Sequence, residues 1–337
     1  MVYTFELVRH PNVRYRDAVA ALSKCELVYM LRALHVEAEV ETLHLGNSLF
    51  LRFECSPLSD ADLSFLSGHS SLALMAEQVS GLLLRPLSPD SSSYLPEDLP
   101  EVLKYKGKTG VPFTRMMINT AAAMSSFSLP PGKMVFFDPL SGRGTGCFCA
   151  LCAGMNAVGL DRSDRDLSEA SAYFSRYLQY HRLKHRVIKR AETSGKISIP
   201  VTSFEFSDTA VHFQSGDRRF LSLACADTAL SPALFRRNQA HVLAADLPYG
   251  IQHAPVAGRK PENMSAFLKR SLPAWKTALA SGGAMAISFN TLTLPTQTVL
   301  DAVAGAGLTP VTDQWTCSLT HEVEQAVVRN VVFALKS

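Results

Sequence analysis

The sequence predicts an α/β protein whose main part is a doubly wound, mostly parallel sheet, preceded by a small α+β unit. Three observations lead to this fold class. Short runs such as MVFFD and HVLAAD are apolar on both faces and alternate with helical segments, as in a parallel sheet covered on two sides. Residues 1–87 instead place two strands next to each other between helices. The segment VTDQWTCSLTHEVEQAVVRNVVFAL contains two consecutive strands, which predicts an antiparallel C-terminal hairpin at an edge of the sheet.

The composition is that of a globular protein, because 47% of the residues are apolar and 19% are charged. The sequence has no run of about 18 apolar residues, so we expect no membrane-spanning helix and no membrane partner. Its first residues lack the basic start and the clean apolar block of a secretory signal. Together with seven cysteines, an odd number, this predicts free thiols and a cytoplasmic location. The net charge of +3 neither requires nor excludes a polyanionic partner.

Residues 1–87 are predicted to form a ferredoxin-like unit with the element order βαββαβ. The alternating segments VEAEVETLHL and SLFLRF flank a Gly46-Asn47 turn, which indicates a hairpin. The predicted strands are 3–9, 36–45, 49–54 and 82–87, and the predicted helices are 15–34 and 60–79. Residues 88–103 are rich in Ser, Pro and acidic residues and are predicted to be a linker. The second domain is therefore expected to span residues 104–337.

The second domain is predicted to contain four strands that each end on, or just before, an aspartate. The four segments are MVFFD, NAVGLD, LSLACAD and HVLAAD, and their last residues are Asp138, Asp161, Asp227 and Asp246, respectively. A basic loop, YKGKTG, and an apolar helix precede the first strand. Residues 187–222 contain the segment TSFEFSDTAVHF, which is predicted to be an inserted hairpin. A helix at 266–280 and the strand GAMAISF follow the fourth strand. The carboxyl ends of such strands meet at one edge of the sheet, where ligands bind.

The first of these strands leads into a glycine-rich loop, FFDPLSGRGTG. Gly142 and Gly144 allow a tight turn and a close backbone approach to a ligand, and Thr145 stands where a helix with unpaired N–H groups begins. A turn without a ligand is the alternative for this pattern alone. Asp161 follows Asp138 by 23 residues, where its carboxylate is placed to accept hydrogen bonds from both ribose hydroxyls of a nucleoside. A helix cap is the alternative for Asp161.

Dinucleotide sites and S-adenosylmethionine sites share this layout, and Asp138 distinguishes them. An acid directly before the glycines repels a pyrophosphate but attracts the ammonium group of a methionine moiety. The predicted cofactor is therefore S-adenosylmethionine. Asp227 is predicted to bind the adenine amino group, with a solvent-facing loop acid as the alternative.

The fourth strand ends on Asp246-Leu247-Pro248-Tyr249, next to the first strand at the point where the strand order reverses. Methylation of an exocyclic amine needs an acceptor that orients the N–H bonds and a flat partner that holds the base. Asp246 and the Leu247 carbonyl are the predicted acceptors, Pro248 fixes the turn, and Tyr249 is the predicted stacking face. A strand-ending turn with a buried tyrosine is the alternative.

In order and spacing, DPLSGRGTG, NAVGLD and DLPYG resemble the motifs of amino-methyltransferases that carry an Asp-Pro-Pro-Tyr type motif. Leucine in place of the first proline, with the trailing glycine, is similar to RNA guanine-N2 methyltransferases. That group includes the THUMP-domain enzymes and the tRNA guanosine-10 enzyme. The resemblance covers residues 104–337 and implies a Rossmann-like class I methyltransferase domain. It also implies that Phe113 and Thr114, in YKGKTGVPFTR, border the cofactor.

The resemblance implies methyl transfer from S-adenosylmethionine to the N2 amine of guanine in RNA, with tRNA as the expected substrate. It implies that the N-terminal unit binds RNA, and a small zinc-containing activator subunit, used by some eukaryotic members, is a further candidate partner. No metal site is predicted within this chain. The same acceptor and stacking groups would serve adenine-N6 methylation of DNA or RNA, which is the first alternative. A catalytically silent nucleic-acid-binding or partner subunit is the alternative from another class.

Three basic clusters fit an RNA path, and a solvated charged face is the alternative for each. Their members are Lys104, Lys106, Lys108 and Arg115; Arg182, Lys184, His185, Arg186, Lys189 and Arg190; and Arg236 and Arg237.

Overall fold

The computed structural model describes the chain except for residues 11–12, 82, 91–92, 106, 128–130, 236–238, 249–255, 258–259, 318 and 325. The described residues form a five-stranded sheet near the N-terminus, a ten-stranded sheet in the rest of the chain and a two-stranded ribbon. Within these ranges no helix combines the length and the apolar character that crossing a bilayer requires.

The N-terminal elements build an antiparallel sheet with two helices. They are β1 (Val2–Leu7), α1 (Val13–Ala33), β2 (Val40–Leu45), β3 (Ser48–Glu54), α2 (Asp60–Ser67), β4 (Leu72–Ser80) and β5 (Leu83–Leu87). The strand order is β2-β3-β1-β4-β5. The first four of these strands have the predicted ferredoxin-like order, and β5 is an additional strand on β4. Apolar side chains of α1, such as Leu27 and Leu31, cover the sheet by packing into one core with Phe5 and Phe53.

The predicted helix at 60–79 is wrong in its second half. The helix ends at Ser67, and Gly68 caps it by donating its N–H to the carbonyl groups of the last turn. Ser70 then donates both its backbone N–H and its hydroxyl to the buried carboxylate of Glu26. These bonds commit the chain to a turn, because a buried carboxylate must find its hydrogen-bond donors within the protein. The residues that follow pair with β1 as β4, which gives seven elements instead of six.

The remaining elements alternate between helices and strands. They are α3 (Leu99–Val102), α4 (Val111–Met124), β6 (Val135–Asp138), α5 (Thr145–Cys152), β7 (Asn156–Asp161), α6 (Asp164–Tyr180), β8 (His185–Ser194), β9 (Ile197–Phe206), α7 (Ala210–Ser215), β10 (Arg219–Cys225), β11 (Ala240–Asp246), β12 (Val256–Ala257), β13 (Lys260–Pro261), α8 (Met264–Ala278), β14 (Leu279–Asn290), α9 (Thr296–Gly305), β15 (Thr309–Val311), β16 (His321–Glu324) and β17 (Val327–Leu335). Two 3₁₀ helices occupy Pro131–Lys133 and Thr228–Leu234.

The large sheet has the strand order β15-β17-β14-β11-β6-β7-β10-β9-β8, with β16 paired to β17. Its central strands β14, β11, β6, β7 and β10 are parallel to one another. The order reverses between β6 and β11, so the carboxyl ends of these two strands flank the crevice of an open α/β sheet. Helices cover both faces of the parallel strands through two separate cores. The predicted doubly wound, Rossmann-like α/β fold is confirmed.

Both ends of the large sheet carry antiparallel strands. An inserted hairpin is present as β8 and β9, which extend the sheet beyond β10. It lies earlier than predicted, because TSFEFSDTAVHF supplies only the end of β9 and then continues into α7. The predicted C-terminal hairpin is present as β16 and β17, but its position differs from the expected edge. β17 lies between β14 and β15, because Val331, Val332, Phe333 and Ala334 are all apolar and need cover on both faces.

The second half of the predicted linker is packed against the second domain. Leu95 and Leu99 are buried, and Asp98 accepts a hydrogen bond of 2.7 Å from the hydroxyl of Tyr177 on α6. The hydroxyl of Tyr173 donates to the Leu99 carbonyl over 2.6 Å. Residues 93–102 therefore act as a fixed strap and not as a free tether.

The N-terminal sheet is attached to the large sheet through α1. Asn119 on α4 donates to Glu26 Oε1 over 2.7 Å and to the Gly68 carbonyl over 2.9 Å. At a second point, the hydroxyl of Tyr29 donates to Asp313 Oδ2 over 2.6 Å. Because these bonds are partly buried and lie on two different elements of the second domain, they fix the orientation of α1.

Candidate active site

A cavity of about 610 Å³ opens at the carboxyl ends of β6, β7, β10 and β11. This volume lies within the range of small-molecule sites. The predicted site residues that line it are Gly142, Asp161, Asp227, Asp246 and Pro248. The other predicted and described site residues lie outside that lining and are Phe113, Thr114, Asp138, Gly144, Thr145 and Leu247. Tyr249 lies outside the described residues, so its stacking role stays a prediction.

The glycine-rich loop turns sharply between β6 and α5. Gly142 and Gly144 have φ values of 48° and 85°, a left-handed region that other residues rarely adopt. The N–H of Gly142 donates to Asp161 Oδ2 over 2.8 Å, and the N–H of Ser163 donates to Asp161 Oδ1 over 2.8 Å. Ser163, and not Asp161, caps α6. The Asp161 carboxylate is thus held at the cavity wall by two backbone donors, with acceptor capacity remaining on each oxygen.

Asp138 lies just behind the loop with its side chain buried. Burial raises the pKa of this carboxyl group to about 8, against the effect of the Leu140 N–H, and the charges of Asp161 and Asp246 raise it further. A Cβ atom at Gly146 would lie 2.5 Å from Asp138 Oδ2, so glycine is required for α5 to approach so closely. This carboxyl group is therefore placed to become an anion when a cationic group arrives.

Asp246, the predicted acceptor, is held on both sides of its carboxylate. Ser288, its neighbour in the register between β11 and β14, donates its hydroxyl to Oδ1 over 2.7 Å. Thr109, in the loop before α4, donates its hydroxyl to Oδ2. Leu247 donates its N–H to the Ser288 carbonyl over 2.9 Å, and its side chain is buried in the core. The two hydroxyl donors fix the carboxylate plane at the mouth of the cavity.

The segment before α4 reaches the cavity, but through residues that differ from the predicted ones. Tyr105 and Gly107 line the cavity, whereas Phe113 and Thr114 are buried within α4. The hydroxyl of Tyr105 lies 2.8 Å from Thr145 Oγ1 at the start of α5. Since the helix begins at Val111, the preceding loop and not its first turn faces the ligand space. The contact of this segment with a cofactor, and the roles of Phe113 and Thr114 in it, remain predictions.

Three arginines in the cavity wall were not predicted from the sequence. Arg143 forms ion pairs of 2.9 and 3.0 Å with Asp166 and Glu169 on α6, and its guanidinium lies 5.0 Å from the centre of the Tyr105 ring. Arg162 and Arg270 both approach Asp227. The sequence signal for Arg143 is its place between two loop glycines, whereas nothing local to Arg270 indicates this contact.

The basic clusters are partly neutralised by acidic neighbours. Arg115 pairs with Glu97 over 3.1 Å, and Arg186 pairs with Glu205 over 2.8 Å. Lys106, Arg236 and Arg237 lie outside the described residues. The clusters therefore provide fewer free cations for a phosphate backbone than the sequence suggests.

No protein family model and no curated protein sequence matches this chain. Among solved structures, it resembles TrmN from Thermus thermophilus, at 12% identity and a TM-score of 0.45, over 100% of both chains. It also resembles magnesium protoporphyrin IX methyltransferase from Synechocystis PCC 6803 with bound S-adenosylmethionine, at 12% identity and a TM-score of 0.40, over 68% of this chain and 87% of that one. A TehB-like S-adenosylmethionine-dependent methyltransferase from Corynebacterium glutamicum is 12% identical, with a TM-score of 0.37, over 62% of this chain and 83% of that one. These resemblances concern the fold, and the fold assignment rests on the strand order.

Proposed function

We propose that this chain is an S-adenosylmethionine-dependent methyltransferase that methylates the exocyclic N2 amine of guanine in RNA, with tRNA as the substrate class. The observation that carries the proposal is the placement of Asp246. Its carboxylate stands at the cavity mouth with Ser288 and Thr109 hydroxyl groups on its two oxygens. An oriented carboxylate at the carboxyl end of a central strand suits the binding of an amine.

The described residues fit S-adenosylmethionine. Asp138 offers a buried carboxyl group for the ammonium of the methionine moiety, and the absence of a side chain at Gly146 leaves room for that carboxyl group. Asp161 presents two oxygens for ribose hydroxyls. When bound, the cofactor supplies a methyl group on a positively charged sulfur. The four acids in the described lining, Asp161, Asp166, Asp227 and Asp246, outnumber the three arginines, which favours a cation over a pyrophosphate.

In the transfer step, the protein positions the target amine and provides an acceptor for its proton. Asp246 and the Leu247 carbonyl accept hydrogen bonds from the two N–H groups of the target amine. These hydrogen bonds turn the nitrogen lone pair toward the methyl group. A new C–N bond forms while the S–C bond breaks, and the extra proton on nitrogen leaves to Asp246 or to water. Pro248 fixes the turn and Tyr249 holds the base. No covalent bond between the protein and either substrate is needed.

The N-terminal unit, residues 1–87, is proposed to grip the RNA, with 88–103 as the connection and 104–337 as the transferase domain. Its support is the double attachment of α1 through Glu26 and Tyr29, which gives a bound RNA a fixed position relative to Asp246. The zinc-containing activator subunit and the cytoplasmic location also remain proposals. Co-purification from cells, followed by metal analysis of any partner, tests the former.

Nucleoside mass spectrometry tests the proposed reaction. Purified protein is incubated with unmodified tRNA and a methyl-deuterated cofactor, and the labelled nucleoside is identified after digestion. We expect labelled N2-methylguanosine from the wild type and none from Asp246→Ala, which should keep its affinity for the cofactor in calorimetry. Asp301→Ala, an exposed acid on α9, is the matched control and should keep full activity.

Each other result of that experiment has a defined meaning. Labelled N6-methyladenosine would show that the target base is adenine and not guanine. Absence of cofactor binding to the wild type, with the same result for Asp161→Ala, would refute the cofactor assignment. Cofactor binding without any labelled nucleoside in tRNA, rRNA or DNA would favour the catalytically silent subunit.

A further inference from the structure

Asp227 stands in a network of charged side chains at one wall of the cavity. Arg270 on α8 donates from Nη1 to Asp227 Oδ1 over 2.6 Å, and from Nε and Nη2 to Glu262 over 3.2 and 3.0 Å. Arg162 Nη1 lies 3.7 Å from Asp227 Oδ2. Asp227, Arg162 and Arg270 line the cavity, whereas the side chain of Glu262 is 8% exposed. One arginine thus joins the loop after β10 to the residue that directly precedes the N-cap of α8.

The contacts of Arg270 fix the orientation of the Asp227 carboxylate. The guanidinium group is planar, and its fork is held on Glu262 by two parallel bonds, so the third donor points in a set direction. Asp227 Oδ1 accepts this donor and also the N–H of Ala229 over 2.9 Å. Two hydrogen bonds occupy Oδ1, and Oδ2 is the oxygen with acceptor capacity for a ligand.

The same helix adds an apolar surface beside this carboxylate. Phe267 lies one turn before Arg270 on α8 and also lines the cavity, and the Arg270 guanidinium is 5.6 Å from the ring centre. A flat apolar wall next to a carboxylate acceptor suits an aminopurine. A 6-oxo purine would instead turn a carbonyl oxygen toward the carboxylate, which leaves both acceptors unpaired.

We propose that Arg270 is a positioning residue that holds Asp227 as the acceptor for the 6-amino group of the cofactor's adenine, so that the cavity discriminates adenine from hypoxanthine. The inference rests on the proposed function, since it takes S-adenosylmethionine as the ligand. Glu262 contributes by anchoring the guanidinium fork.

Binding calorimetry with two ligands tests this role without any methyl transfer. The probes are S-adenosylhomocysteine and its deaminated analogue, S-inosylhomocysteine. We expect the wild type to prefer the adenosine ligand by roughly 10- to 100-fold, the range of one hydrogen bond to a charged acceptor. Arg270→Met should lose most of this preference while its affinity for the inosine ligand changes little. Arg270→Lys should also lose part of it, because lysine keeps the charge and lacks the fork.

Lys269→Met is the control, since it removes one positive charge from the exposed face of the same helix. It should keep the wild-type ratio of the two affinities. If circular dichroism shows that Arg270→Met is not folded, Glu262→Gln replaces it in the test. This variant weakens the contact that holds the Arg270 guanidinium and leaves Arg270 in place. An unchanged ratio in the folded variants would overturn the positioning role. Absence of binding of either ligand to the wild type would instead contradict the proposed function.

Discussion

Asp138 shows how one buried carboxyl group makes stability depend on pH. Burial raises its pKa from 3.8 to about 8 in the folded protein. Between these two values the folded state holds a proton that the unfolded state has released. The free energy of unfolding therefore falls as pH rises through this window, and the contribution levels off above about pH 8.

Asp138→Asn should remove this dependence, because the amide does not ionise. From pH 5 to pH 7.5, we expect the free energy of unfolding of the variant to rise relative to that of the wild type. The slope of this relative change should be at most about 1.4 kcal/mol per pH unit. Urea unfolding at several pH values measures it. Asp301→Asn, at an exposed position, should follow the wild type. Parallel curves for Asp138→Asn and the wild type would show that Asp138 is ionised at pH 5.

At the same scale, the sequence predicted Asp161 and Asp246 at the cavity wall because both end short apolar strands, and parallel strands present such ends together. It did not predict Ser288 or Arg270. Ser288 meets Asp246 through the register of β11 and β14, and Arg270 meets Asp227 through the packing of α8. The local sequence around Asp246 or Asp227 predicts neither the register of two strands nor the packing of a helix that is distant in sequence.

At the scale of elements, the loop before α4 connects the two halves of the candidate site. Tyr105 contacts Thr145 at the start of α5, and Thr109 contacts Asp246. The proposed cofactor side and the proposed acceptor side are thus contacted by two residues only four positions apart, Tyr105 and Thr109. We expect this loop to align the two substrates more than to bind either of them.

Thr109→Val tests this alignment, because valine keeps the shape and removes the hydroxyl donor to Asp246 Oδ2. We expect turnover to fall by roughly 10- to 100-fold while the affinity for S-adenosylmethionine stays unchanged. Thr109→Ser should retain most of the turnover. Single-turnover methylation and calorimetry measure the two quantities. A loss of cofactor affinity with normal turnover of the bound complex would assign the hydroxyl to cofactor binding instead.

The wrong helix at 60–79 has a clear physical origin. LALMAEQV has apolar residues at spacings that suit either a helix or a strand, so periodicity alone does not decide. The decision comes from Glu26, 44 residues before Ser70, which binds the turn in front of β4. The predicted strands 3–9, 36–45 and 49–54 overlap β1, β2 and β3, because alternation and the Gly46-Asn47 turn are local signals.

At the scale of the whole molecule, α1 and α4 share an apolar core, and one side-chain amide adds a polar attachment between them. Asn119 donates to the fully buried Glu26 and to the Gly68 carbonyl. Asn119→Ala should lower the free energy of unfolding by about 1–3 kcal/mol, since it leaves a buried carboxylate with fewer donors. Urea unfolding measures the loss. Gln297→Ala, an exposed amide on α9, is the control and should change it by less than about 0.5 kcal/mol. Equal stability of Asn119→Ala and the wild type would mean that the attachment contributes nothing to folding.

The position of β17 between β14 and β15 affects how the chain is made on the ribosome. β14 is synthesised before β17, and β15 pairs only with β17 among the described strands. Until Val327–Leu335 leaves the exit tunnel, the long apolar strand β14 has one open edge and can pair with another nascent chain. Protection of that edge by a chaperone is then most valuable between the synthesis of β14 and that of β17, when the site residues have already been synthesised.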